Sequence, residues 1–150
     1  MLTLEEINPY LPYKLKVMDT VNKKTKLMNL GDGSSTNWVG LKTVIRYSEI
    51  YKPLLFPLSY LDQEITVNVE TFCPIQLLQN EKYPIDYFLD NTEAVTYFHS
   101  WYKSNDKDHH VKFLPKGLVD QLIKWKLDVF GLIDQGKAIN VLEIDKNIYR

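Results

Sequence analysis

One segment constrains the fold of this chain more than any other. "FLPKGLVDQLIKWKLDVFG" (113–131) is the longest stretch in which apolar residues recur at helical spacing. Leu118, Val119, Leu122, Ile123, Trp125, Leu127 and Phe130 supply its apolar faces, and Pro115 suits a first helical turn. The preceding residues form short runs of period two, cut by prolines and polar loops. One helix beside several short strands predicts an α+β domain, with N-terminal antiparallel strands and a main C-terminal helix (about 115–130) packed on the sheet. On that helix Leu118, Leu122 and Phe130 are expected to be buried, with Trp125 packed on the strand "EITVNV". Lys124, Lys126 and Asp128 are expected to face solvent, Lys126 with its stem along neighbouring rings.

The rest of the chain reads as follows. Thr3 and Glu6 form a capping box, and Pro9 and Pro12 stop the helix it starts. "YKLKVMD" (13–19) alternates as a half-buried strand, and "KLMNL" (26–30) returns as its hairpin partner. After the loop 31–37, "WVGLKTVIRYSEIYK" (38–52) predicts one or two strands. Pro53 and Pro57 break "KPLLFPLSYLDQ" into an irregular crossing that packs Leu54, Leu55, Phe56 and Leu58 inward. "EITVNVETF" (64–72) predicts a strand with Ile65, Val67 and Val69 on one face. Pro74 opens a helical turn over 73–80. Residues 85–89 suggest helix, 93–103 helix or strand, 104–110 a polar loop, and 137–145 a last strand or tail. The length, 150 residues, fits one domain.

Several chemistries lack a required partner. Cys73 is the sole cysteine, which excludes an internal disulfide and a multi-thiolate zinc site. No serine sits in a G-x-S-x-G elbow. His109, His110 and His99, with Asp106 or Asp108, are the only candidate metal set, and a nuclease centred on His109 and His110 would be the sharpest enzymatic reading. They lack ligand spacing on a regular element. No cofactor, metal or enzymatic activity is expected. The N-terminus lacks a signal-peptide pattern, and no apolar run spans a bilayer, so no membrane role is expected.

Gly131–Ala138 reads G-x-x-x-x-G-K-A, one hydroxyl short of a phosphate-binding loop. Such a loop needs a strand before it and a helix after it. Here the helix comes first, and Ala138 has no oxygen for magnesium. The expected role of Gly131 or Gly136 is the left-handed position that ends a helix.

Three stretches carry a resemblance. "INPYLPYKL" (Ile7–Leu15) fits I-x-P-Y-L-P-Y-x-L. "YKPLLFPLSYLDQEI" (Tyr51–Ile65) fits (I/Y)-K-P-x-L-R-P-L-S-D-L-x-x-E-I, except that Phe56 replaces Arg and Tyr60 replaces Asp. "DVFGLIDQGKAI" (Asp128–Ile139) fits D-V-F-G-L-I-x-x-G-x-A-I. The chain thus resembles a family of short proteins from phages and prophages of Bacteroidota, a family with no assigned reaction. The resemblance implies a phage accessory protein acting in the bacterial cytoplasm.

The net charge of -1 argues against nucleic-acid binding through bulk positive charge. Its distribution is uneven: residues 61–100 hold one Lys and seven Asp/Glu, between basic ends. Two basic groups are candidates for nucleic-acid or partner contact. The first hairpin carries Lys14, Lys16, Lys23, Lys24 and Lys26, with strand alternation placing Lys14 and Lys16 outward. Trp101 and Tyr102 lie beside Lys103, Lys107 and Lys112, a mixture suited to base stacking. Both groups also fit plain structural roles, as a lysine-protected edge and as core aromatics. Asp62, Glu64, Asp86, Asp90 and Glu93 form the candidate acidic face, able to mimic nucleic acid in a basic channel. The expected function is inhibition of a host defence protein or ribonucleoprotein, such as the type VI-B RNA-guided CRISPR effector of Bacteroidota, with guide RNA a candidate contact. The expected state is a monomer or weak dimer. A virion component or a small nucleic-acid-binding module is the alternative.

Overall fold

The computed structural model describes residues 1–21, 26–31, 38–78 and 116–150. The chain begins as its first residues dictate. Thr3 Oγ1 accepts the Glu6 N–H, and Glu6 Oε2 accepts the Thr3 N–H at 2.9 Å, capping α1 (Leu4–Ile7). The α-helix stops before Pro9, as expected, but the chain continues in a 3-10 turn, which the fixed φ of Pro9 and Pro12 also suits. That turn runs from Asn8 to Tyr13 and ends at Lys14, in the left-handed region at φ 56°. Strand β1 (Lys16–Asp19) therefore begins three residues later than the alternation suggested.

β1 pairs antiparallel with β2 (Lys26–Gly31), Val17 opposite Met28, as the hairpin pattern predicted. β3 (Trp38–Gly40) lies parallel to β2, so the N-terminal strands are not all antiparallel as expected. Next comes a helix, α2 (Leu41–Arg46), where strand was expected. Val44 is buried while Leu41 and Ile45 pack against the core, a spacing of three and four that suits a helix face.

β4 (Tyr51–Leu55) takes the first part of the expected irregular crossing, and the rest remains turn-like, with a 3-10 turn over Leu58–Asp62. The strand sits between β1 and β7 (Ile139–Asn140) in a five-stranded sheet of order β3-β2-β1-β4-β7, with β4 and β7 parallel. Pro53 is tolerated inside it because of register. The Thr20 N–H donates to Ile50 C=O, so the antiparallel alternation puts Pro53, opposite Val17, where β1 needs no hydrogen bond. Leu54, Leu55 and Phe56 are fully buried, and Leu58 only partly.

Residues 64–72 form a hairpin rather than one strand. β5 (Ile65–Val67) and β6 (Glu70–Phe72) are joined by Asn68 and Val69, at φ 51° and 65°. Two left-handed residues make the mirror-image turn that matches strand twist. Val69 is consequently 82% exposed, not aligned inward with Ile65 and Val67. A β-branched residue is strained there. Val69→Gly should stabilise the protein by about 1 kcal/mol in chemical denaturation; a loss of stability would contradict this turn.

The Pro74 turn forms as read, as α3 (Pro74–Leu78). The main described C-terminal helix, α4 (Lys116–Lys124), is shorter than expected. Leu118 and Leu122 are fully buried, and Trp125 packs at a tilt on Phe72, in the second strand of the small hairpin rather than in "EITVNV", at 4.8 Å between ring centres. The helix stops because Lys126 turns left-handed, at φ 60°. The Lys126 N–H donates to Ile123 C=O and the Leu127 N–H to Leu122 C=O, the paired bonds of a Schellman ending. Glycine usually holds that position, so its absence hid the stop. Beyond it, Lys126 and Asp128 are buried and Phe130 is 36% exposed, each opposite to expectation. The cause is a change of period: Leu127 bridges Phe56, the Phe56 N–H donates to Lys126 C=O, and the Asp128 N–H donates to Phe56 C=O.

Gly136 fills the expected left-handed role, at φ 73°, closing a short turn of its own. The Gly136 N–H donates to Ile133 C=O and the Lys137 N–H to Leu132 C=O. Asp128 tethers the start of this turn by accepting the Leu132 and Ile133 N–H groups at 2.8 Å each.

The three stretches singled out by resemblance meet around the Phe56–Leu127 bridge. The Tyr10 hydroxyl donates to Leu127 C=O at 2.6 Å and accepts the Val129 N–H at 3.3 Å. Burial raises the Tyr10 pKa, which keeps the phenol protonated for this donation. Tyr10→Phe should cost about 1–3 kcal/mol in thermal unfolding, since it removes two buried hydrogen bonds that hold Leu127 and Val129. A fully stable variant would remove this junction from the account of the fold. Tyr149 ties in the C-terminus: its hydroxyl donates to Leu54 C=O and accepts the Lys16 N–H.

Candidate anion-binding cleft

The left-handed bend at Lys14, the hairpin tip at Asn68 and the end of α4 surround one cleft of about 180 Å³. Pro12, Tyr13, Lys14, Asn68, Lys124 and Lys126 line it. The local sequence explains the convergence. The 3-10 turn carries Pro12 and Tyr13 up to the bend that aims Lys14. The tight Asn68-Val69 turn is tied to the C-terminus through the Asn68 N–H, which donates to Tyr149 C=O at 2.9 Å. The helix stop delivers Lys124 exposed and Lys126 buried.

Lys126 is the unusual member. Only 2% of it is exposed, and its Nζ lies 5.1 Å from the centre of the Tyr149 ring. It is the ammonium group, held inside the fold rather than in solvent, that lies over a ring. Burial, followed by the charges of Lys124, Lys14 and Lys16, pulls its pKa down to about 8. Lys16 thus belongs to the same electrostatic cluster. Among the described residues, none of these four lysines has a carboxylate at ion-pair distance. The arrangement attracts anions: a concave site, several cations and, among the described residues, no counter-ion.

Lys137, of the loop-like G-x-x-x-x-G-K-A, is engaged elsewhere. Its Nζ lies 2.7 Å from Glu6 Oε1. Burial pushes the Glu6 carboxyl up, but hydrogen bonds from Lys137 and Thr3 outweigh it and hold the group below its usual range.

The sequence candidates divide accordingly. Lys14 and Lys16 come together, though Lys14 reaches the cleft from a bend rather than a strand face. Lys26 lies in β2 opposite Asp19. Lys23, Lys24, Trp101, Tyr102, Lys103, Lys107, Lys112, Asp86, Asp90, Glu93 and the three histidines with Asp106 and Asp108 lie outside the described residues. Asp62 and Glu64 are exposed, and Glu64 lines a second, smaller cleft with Phe56, Tyr60 and Lys146. Cys73 is half-buried, its thiol directed at Leu61 C=O. Among the described residues no His, Cys, Asp or Glu cluster is arranged for a metal, and no helix is long and apolar enough to cross a membrane. Lys124 and Lys126 were missed as site residues, because helical periodicity carried past Lys124 pointed both outward. Compared with known protein families, curated proteins and solved structures, the chain matches none.

Proposed function

We propose that the chain is a phage accessory protein that works by binding, and that it contacts the phosphate backbone of RNA in a host defence ribonucleoprotein. The observation that carries this reading is the convergence of Lys14, Lys124 and Lys126 on one cleft, with the charge of Lys16 felt at Lys126 and no carboxylate partner for any of the four among the described residues. Backbone phosphates are the abundant ligand for such a cluster, and they explain how a chain of net charge -1 binds nucleic acid: locally. The resemblance supplies the setting, a Bacteroidota host, and makes an RNA-guided CRISPR effector of type VI-B the proposed target, inhibited in the cytoplasm. Contact through the acidic residues is the weaker reading, since Asp62 and Glu64 have no described acidic neighbours gathered around a common site. The same reading takes the chain as one domain, a monomer or weak dimer, with α4 packed on the sheet.

The full chain, tagged and expressed in such a host, should recover a defence ribonucleoprotein with its RNA, read by mass spectrometry and RNA sequencing. Lys14→Glu with Lys124→Glu should lose both. Recovery of a virion protein in their place would overturn the proposal in favour of a particle component.

A further inference from the structure

The cleft is built for something smaller than a length of nucleic acid. Its volume, about 180 Å³, falls below the roughly 300 Å³ at which pockets begin to hold drug-sized ligands. A phosphate group fits within it. Three lysines border it, Lys14 from the first bend and Lys124 and Lys126 from the helix end, so their charge is gathered at one cleft. Asn68 adds an amide to the lining. Two residues at its edge, Lys14 and Lys126, hold left-handed backbone that favours glycine. A lysine at 2% exposure in such a conformation is costly, and strain of this kind gathers where a ligand is held.

We propose that this cleft seats a single phosphomonoester dianion, with Lys14, Lys124 and Lys126 as its cationic ligands. The inference deepens the anion-binding reading of the same site and rests on it. Charge distinguishes a monoester from the internal diesters of RNA. At pH 7.5 a phosphomonoester carries close to -2, because its second pKa is about 6, whereas a diester carries one charge. Three cations around one seat favour the doubly charged group. The lowered pKa of Lys126 adds a signature: a dianion in the seat stabilises the ammonium form, so binding raises that pKa and takes up protons near pH 8. The phosphomonoester has two possible sources, a 5′-phosphorylated RNA end or a free small phosphate ester.

The test uses the full chain and three probes: a 5′-phosphorylated oligouridylate, the same oligomer with a 5′-hydroxyl, and phenyl phosphate. Titrations are followed by calorimetry in buffers of different ionisation enthalpy and by the lysine side-chain NMR signals. An RNA end as ligand predicts about tenfold tighter binding of the 5′-phosphorylated oligomer, proton uptake at pH 8, competition by phenyl phosphate, and loss of the preference in Lys126→Met. Equal affinity for the two oligomers, both weakened by Lys14→Glu, with no Lys126 response to phenyl phosphate, would overturn the seat and leave the RNA-backbone reading standing. Binding of phenyl phosphate with a raised Lys126 pKa, and of neither oligomer, would keep the seat, assign it to a small phosphate ester and overturn the RNA reading. No binding of any probe would remove both.

Discussion

Lys126→Met will raise the stability of the protein at pH 7 by about 3 kcal/mol. The buried amine titrates near 8 in the folded protein against 10.5 in an unconstrained lysine. Above pH 10.5 the amine is neutral in both states and costs nothing. As the pH falls towards 8 the unfolded chain takes up the proton first, and folding is progressively penalised. Below 8 both states are protonated and the penalty is complete. Stability should therefore climb between pH 8 and 10.5 in the natural protein, and the part of that climb owed to Lys126 should be absent from the Met variant. Met keeps most of the stem that packs beside Tyr149 and removes the charge. Lys126→Gly would also relieve the left-handed backbone, at the expense of that packing. Urea denaturation across pH 7–11 measures both. A destabilised Met variant would mean that the ammonium group is satisfied within the fold, and the case for a functional cation would lose its energetic basis.

Leu122→Ala will destabilise the protein by about 2–5 kcal/mol. Leu122 is fully buried, and its carbonyl accepts the Leu127 N–H in the helix ending. Leu127 is itself fully buried, so the apolar contact that accompanies a Schellman ending is available here. Truncation opens a cavity beneath the bend that positions Lys126. The loss is a large share of the roughly 5–15 kcal/mol available to a domain. Thermal unfolding is sufficient to see it. Stability equal to the natural protein would place α4 on the surface.

These two residues also mark where the sequence was legible. Leu118 and Leu122 follow helix spacing, and their burial was readable from that alone. The capping box at Thr3, the β1–β2 hairpin and the turn opened by Pro74 follow from equally local chemistry. Reading failed where tertiary pairing overrode the local pattern. Helical period carried past Lys124 put Lys126 and Asp128 in solvent, because a lysine stands where glycine normally announces a stop. Pro53 argued against a strand, yet the register of β4 places it where no β1 hydrogen bond is needed. Val69 continued an alternation that a left-handed turn cuts. The candidate site was legible only in half: Lys14 and Lys16 are close in sequence, whereas Lys124 and Lys126 join them through the same helix stop that the sequence concealed. Residues 7–15, 51–65 and 128–139 converge near the Phe56–Leu127 bridge, where packing and backbone pairing hold them, with Asp128 tethering a turn and Lys137 paired to Glu6.

The central claim is that the three lysines lining one cleft, Lys14, Lys124 and Lys126, with Lys16 adding its charge, contact phosphates. Its most direct test is the salt dependence of binding between the purified full chain and a fluorescent single-stranded RNA, compared with the Lys14→Glu, Lys124→Glu variant. The account predicts that log affinity falls linearly with log salt, with a slope near -2 to -3 for about three to four phosphate contacts at roughly -0.7 each, and that the variant loses most of both affinity and slope. An affinity that ignores salt, or a variant that binds RNA as well as the natural protein, would contradict it.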